Sequence, residues 1–195
     1  RDPERFKELE EKIFPQILRE TPNPRIWSAG CATGEEAYSL AIILYEKSPK
    51  SIYRILATDI DNGALKKAKI GLYDENRVRN VGEERLRKYF LKVGEKYEIC
   101  DEIKKKVKFN KVDLLKDGFP QNFFHLIVCR NVVIYFENNA KQMLMDKFRL
   151  ALKRGGFFFC GGTERIFDLD RIGFECVGTC PVSYTHLTLP TICSV

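Results

Sequence analysis

Residues 25–36 read Arg25-Ile26-Trp27-Ser28-Ala29-Gly30-Cys31-Ala32-Thr33-Gly34-Glu35-Glu36. A short run of strand character enters a turn with two glycines. The turn enters residues 35–46, where Ala37, Leu40, Ala41 and Leu44 recur at helical spacing. Glycines in such a turn let the backbone approach a ligand closely, and the following helix offers free N–H groups at its start. The pattern is not the G-x-G-x-x-G of dinucleotide-binding turns, and the acidic pair Glu35-Glu36 would repel a pyrophosphate. It suits a ligand carrying positive charge. The pair would equally complement the dipole of its own helix, and these residues alone leave both readings open.

Working outward, residues 52–57 read as a second strand ending at Thr58-Asp59-Ile60-Asp61, and residues 62–69 as a second helix. Strand, glycine turn, helix, strand, acidic end, helix is the opening of a doubly wound parallel sheet, with ligand at the carboxyl ends of its strands. Asp59 stands where a carboxylate accepts from both hydroxyls of a ribose; alternatively Asp59 or Asp61 caps the next helix. The parallel pattern resumes at residues 107–112, which end at Val112-Asp113-Leu114, and at 124–129, followed by Arg130-Asn131 and by Tyr135-Phe136. An aspartate at Asp113 could accept from an adenine amino group, and Tyr135 and Phe136 could equally be core aromatics. A helix over 139–152, stopped by Lys153-Arg154-Gly155-Gly156, leads to a strand at 157–160.

Two segments interrupt this rhythm. Residues 5–20 have helical spacing, with Pro15 set to kink or split the helix. Residues 71–106 read as an insertion: a polar, turn-rich stretch to Asn80, a helix over 83–90, and an antiparallel ribbon around Gly94-Glu95-Lys96.

The 195 residues suit one α/β domain, which buries about 70% of its unfolded surface and needs no staples. A net charge of +6 spread along the chain reads as a solvated face more readily than as a nucleic-acid platform. Seven cysteines without a CxxC favour buried thiols over a metal site or a disulfide framework. No apolar run reaches the ~18 residues of a membrane span and no signal peptide is visible, so a cytoplasmic chain without membrane insertion is expected.

WSAGCATGEEAYSLAIIL (27–44), ATDIDNGALKKAKIGLY (57–73), VDLL (112–115), CRNVVIYF (129–136) and GGFFFCGGTERI (155–166) together resemble the chemotaxis receptor methyltransferases, the CheR family. The resemblance covers nearly all of residues 1–178. It implies a Rossmann-like α/β fold, a doubly wound, mostly parallel sheet with a small inserted β-subdomain over about 71–106. It also implies transfer of a methyl group from S-adenosyl-L-methionine to glutamate side chains of methyl-accepting chemotaxis receptors, leaving S-adenosyl-L-homocysteine. Carried over by position, Glu36 would hold the methionine part and Asp59 the ribose. Asp113 and Leu114 would border the adenine, Gly30 and Gly34 would shape the turn, and Arg130 and Asn131 would line the pocket. Tyr135 would lie near the transferred methyl, and Arg1 would face the methyl-transfer site. No metal is implied. The partner expected is the receptor cytoplasmic domain, met by the inserted subdomain, with the enzyme a monomer.

The chain also departs from the family pattern. It begins at Arg1, so it reads as a fragment lacking the family's helical N-terminal region. Residues 1–181 are expected to be the catalytic domain, and 182–195, which leave the pattern, a non-native tail or else a lineage-specific final strand. Other functions compatible with the residues are methyl transfer to a small molecule or RNA on the same fold, and a non-catalytic module that binds cofactor or receptor.

Overall fold

The computed structural model describes residues 3–161, 173–176 and 184–187. At its start α1 (Pro3–Glu8) and α2 (Phe14–Glu20) are joined through a π-helical segment, Leu9–Ile13. Pro15 accounts for the change of pitch: it has no N–H to donate, and its ring crowds the carbonyl one turn back. The wider turn, closed by Phe14 N–H donating to the Leu9 carbonyl, carries the helix past it.

The next elements are β1 (Arg25–Ala29), α3 (Glu35–Lys47), β2 (Arg54–Asp59) and α4 (Asn62–Ile70), in the order read from the sequence. The insertion follows as β3 (Leu72–Asp74), α5 (Glu75–Val78), α6 (Glu83–Tyr89), β4 (Phe90–Val93), β5 (Lys96–Ile99) and α7 (Asp101–Lys104). The chain then returns to the main sheet with β6 (Val107–Lys111), β7 (Phe124–Cys129), α8 (Asn138–Ala151), β8 (Leu152–Cys160), β9 (Phe174–Cys176) and β10 (Tyr184–Leu187).

The main sheet has the order β6-β2-β1-β7-β8-β10-β9. The first five are parallel, and β10 runs antiparallel to both β8 and β9. Alternation along the strands divides the core in two. Ile26, Ile55, Leu126, Val128, Phe157 and Phe159 face α3, α4 and the N-terminal helix. Trp27, Ala29, Ile127, Cys129, Phe158 and Cys160 face α8. Both faces of the central strands β1 and β7 are therefore covered, as a parallel sheet requires, while the edge strand β6 exposes Lys108 and Asn110 on one face. Trp27, the one tryptophan of the chain, is fully buried among Phe119, Phe124 and Phe148, and its indole N–H donates to Thr58 Oγ1 at 2.8 Å.

Three local expectations change. Residues 71–80 were expected to be loop, yet β3 joins the hairpin to make a three-stranded antiparallel sheet, β3-β5-β4, followed by the single turn of α5. Such short elements carry too little periodicity to read. The second strand starts at Arg54, because Ile52 is exposed. Lys153-Arg154-Gly155-Gly156 does not stop the helix, which ends at Ala151; it forms a bulge inside β8. Phe124 pairs with Leu152 and Leu126 with Phe157, so the extra residues loop out between them. Gly155 there has φ +74°, and a Cβ on Gly156 would stand 2.8 Å from the Lys153 carbonyl.

The end of β5 is tied back to the start of the insertion: Ile99 N–H donates to the Gly71 carbonyl at 2.9 Å. Arg85 of α6 ties it to the rest of the chain through Glu46 of α3, at 2.6 Å, and Glu10 of the N-terminal helix, at 2.8 Å. The segment 182–195 contributes β10, and its remaining residues lie outside those described. No described helix is long and apolar enough to cross a membrane.

Candidate functional site

The carboxyl ends of β1, β2, β6 and β7 open on one cleft of about 1220 Å³. That exceeds the ~300–1,000 Å³ usual for a small-molecule site, leaving room for a second reactant. Its centre is the turn after β1. Gly30 and Cys31 N–H both donate to the Thr58 carbonyl, at 2.8 and 2.9 Å, pinning the turn to the end of β2. Gly30 has φ +79°, and a Cβ there would fall 2.3 Å from Val132 Cγ2. Only glycine fits. Gly34, at φ +91°, caps α3 and packs against Ala68 of α4.

The two acidic side chains of the α3 start, which spacing alone does not tell apart, are separated here. Glu35 accepts from Thr33 Oγ1 at 2.6 Å and from Arg77 of α5 at 3.0 Å. Glu36 turns toward the sheet: Ser28 Oγ donates to it at 2.7 Å, and Arg130 Nη1 lies 3.8 Å from its other oxygen. Arg130 is buried, with its guanidinium over the Phe6 and Phe159 rings at 5.3 and 5.8 Å.

At the end of β2 the aspartates divide the work. Asp61 accepts from Gly63 and Ala64 N–H and so caps α4. Asp59 is oriented by Ala32 N–H on one oxygen, at 2.8 Å, and Asp61 N–H on the other, at 2.9 Å. Each oxygen keeps a lone pair for a further donor. Beyond β6, Asp113 Oδ1 accepts from Leu115 and Lys116 N–H, fixing the turn that places Leu114 at the cleft wall. Asn131, directly beyond β7, holds a left-handed φ of +57° at the wall, a conformation uncommon outside glycine.

The cleft thus gathers Gly30, Glu36, Asp59, Asp113, Leu114, Arg130 and Asn131. Gly34 acts behind it. Arg1 lies outside the described residues, as does the Tyr135 side chain; the Tyr135 backbone ends a 3₁₀ turn, Val133–Tyr135. Sequence reasoning missed Phe6 and Glu10 of the N-terminal helix, Ile60, Cys31, and Arg77 and Arg79 of the insertion, all of which line the cleft. Phe6 read as one more apolar position of an amphipathic helix. Cys31 is a buried thiol whose pKa burial pushes up, with the Asp59 charge adding to the effect, so it stays protonated.

Residues 1–180 match the family described as CheR methyltransferase, SAM binding domain. The chain belongs to the CheR family. A chemotaxis protein methyltransferase of Listeria innocua is 40% identical over 169 residues, covering 86% of this chain and 64% of its own length. One from Borreliella burgdorferi is 36% identical over 177 residues, covering 85% of this chain and 62% of its own. The chain therefore spans slightly under two thirds of these relatives. A solved TehB-like SAM-dependent methyltransferase from Corynebacterium glutamicum superposes with a TM-score of 0.53 at 16% identity, over 94% of this chain and 92% of that one. That likeness speaks to the fold, a Rossmann-like α/β sheet. The cofactor of this CheR-type domain is S-adenosylmethionine. The cleft fits it: carboxylates stand where a dinucleotide site would hold phosphate, and they complement an ammonium group and a ribose.

Proposed function

We propose that the chain transfers the methyl group of S-adenosylmethionine to glutamate carboxylates on the cytoplasmic domain of methyl-accepting chemotaxis receptors, forming methyl esters. The observation that carries this reading is the placement of Glu36 and Asp59, each oriented by hydrogen bonds, at the ends of adjacent strands in one cleft. Membership of the CheR family and the names of the relatives support the receptor as substrate.

In this reading Glu36 accepts from the cofactor's amino group, Asp59 accepts from the ribose hydroxyls, and Ile60, Leu114 and Asp113 border the adenine. The bound cofactor supplies an activated methyl on a sulfonium. A substrate glutamate is already ionised near neutral pH, so the chain needs neither a nucleophile nor a strong base. Its task is to hold carboxylate oxygen, methyl carbon and sulfur in line. Held by Glu36 and Asp59, the cofactor would supply the methyl and its sulfur would be the leaving group, so that the opposite charges of sulfonium and carboxylate would be lost together. A site that excludes water favours this charge loss. Arg1 orients the incoming carboxylate, Tyr135 shapes the surroundings of the methyl, and the 71–106 insertion meets the receptor.

The test is incubation of the chain with receptor-containing membranes and methyl-labelled cofactor, scoring label released as methanol by base. Base-labile label on the receptor that disappears with Glu36→Gln is the expected result. Label on RNA or on small molecules, with none on receptor, overturns the substrate assignment.

A further inference from the structure

A second cleft, of about 580 Å³, opens at the other end of the sheet, where the parallel strands begin. Arg25 starts β1, His125 lies at the start of β7, and Lys153 and Arg154 come from the β8 bulge. The methyl-transfer reading makes no use of these residues.

The cleft is built rather than incidental. Arg25 N–H donates to His125 Nδ1 at 3.0 Å, so the neutral imidazole carries its hydrogen on Nε2 and remains a donor. The Arg25 guanidinium stacks on Phe123 at 4.3 Å, and its Nε is buried without a hydrogen-bond partner. Asn23 uses its carbonyl oxygen to accept from Ile52 N–H, which leaves its amide hydrogens available. The glycine-dependent bulge projects Lys153 and Arg154 into the same space. Among the described residues, no carboxylate is in ion-pair contact with Arg25, Lys153 or Arg154. Glu20 is the one acid at the wall among the described residues. Three cations against one carboxylate leave two positive charges at the described wall.

We infer that this cleft binds a small soluble phosphomonoester dianion, held by Arg25, Lys153 and Arg154 with His125 Nε2–H as an added donor. A dianion balances the excess charge, and phosphate oxygens match guanidinium geometry. The volume leaves space for an organic group beyond the phosphate. The site is independent of the cofactor cleft and of the chain's substrate.

The test uses proton NMR of the imidazole groups of the whole chain, titrated with inorganic phosphate near neutral pH at constant ionic strength. The sequence has two histidines, so His186 serves as the internal reference. A saturable shift of the His125 signal is expected, with a dissociation constant of about millimolar. In a Lys153→Gln, Arg154→Gln variant, which leaves Arg25 on Phe123, the affinity should fall about tenfold or more while S-adenosylhomocysteine still binds. A shift no larger than that produced by chloride, or one unchanged in the variant, overturns the site. A response to phosphatidylglycerol vesicles and none to free phosphate overturns the soluble ligand.

Discussion

Glu36 is held between Ser28 and Arg130, so its carboxylate is oriented before any ligand arrives. Glu36→Gln keeps an acceptor for Ser28 but loses the charge that would meet an ammonium group. A hydrogen bond to a charged partner is worth about 1.5–3 kcal/mol, so affinity for S-adenosylhomocysteine should fall ~10–100-fold in calorimetric titration. Unchanged affinity in a folded variant would remove Glu36 from the cofactor's amino group. Gly30→Ala is a different experiment. The methyl meets Val132 at 2.3 Å and φ is left-handed, so roughly 1–3 kcal/mol of stability should go, measured by urea unfolding. At this scale spacing alone showed which residues gather, and the division between Glu35 and Glu36 came only with the family resemblance. Glu35 and Glu36 differ in the direction they take from one helix start, Glu36 toward Ser28 and Glu35 toward Thr33 and Arg77, the latter contributed by the insertion.

The central parallel strands were legible because they are almost wholly buried and their ends carry polar groups; β1 and β7 match their expected bounds. The elements that were not legible include β3 and α5, of three and four residues, which lack the turn signal that marked the β4–β5 ribbon. Two interactions between elements give testable outcomes. Arg85 joins α6 to α3 and to the N-terminal helix; burial opposes its charge, but its hydrogen bonds to Glu46 and Glu10 outweigh that and raise its pKa. Arg85→Ala leaves two carboxylates facing each other and should cost about 1–2 kcal/mol, or ~3–6 °C in melting temperature. At the start of β7, burial and then the charges of Lys153 and Arg25 lower the His125 pKa to about 4. The unfolded chain, with its histidine near ~6.5, binds more protons across that interval, so this contribution to stability is full above ~6.5 and is lost as pH falls toward about 4. His125→Gln, whose amide oxygen can still accept from Arg25 N–H, should flatten that part of the urea-midpoint profile; an unchanged slope would assign it to carboxylates instead.

For the whole molecule, a ligand that binds only the folded chain stabilises it by mass action. At a hundred times the dissociation constant, S-adenosylhomocysteine should add ~2.7 kcal/mol and raise the melting temperature by about 5–10 °C. Trp27, buried between β1 and α8, reports the transition through its fluorescence. A folded chain that shows no shift would mean that its cofactor cleft is incomplete without further residues.

The backbone contact between Ile99 and Gly71 has a consequence for descent. Because β5 is tied back to Gly71 at the end of α4, the chain between them is a closed loop, and the pairing of β2 with β6 does not depend on its length. A hairpin can lengthen, shorten or be exchanged among cousins of this molecule without moving a single parallel strand. Selection is then free to alter what the molecule grasps while the chemistry beneath it stays still.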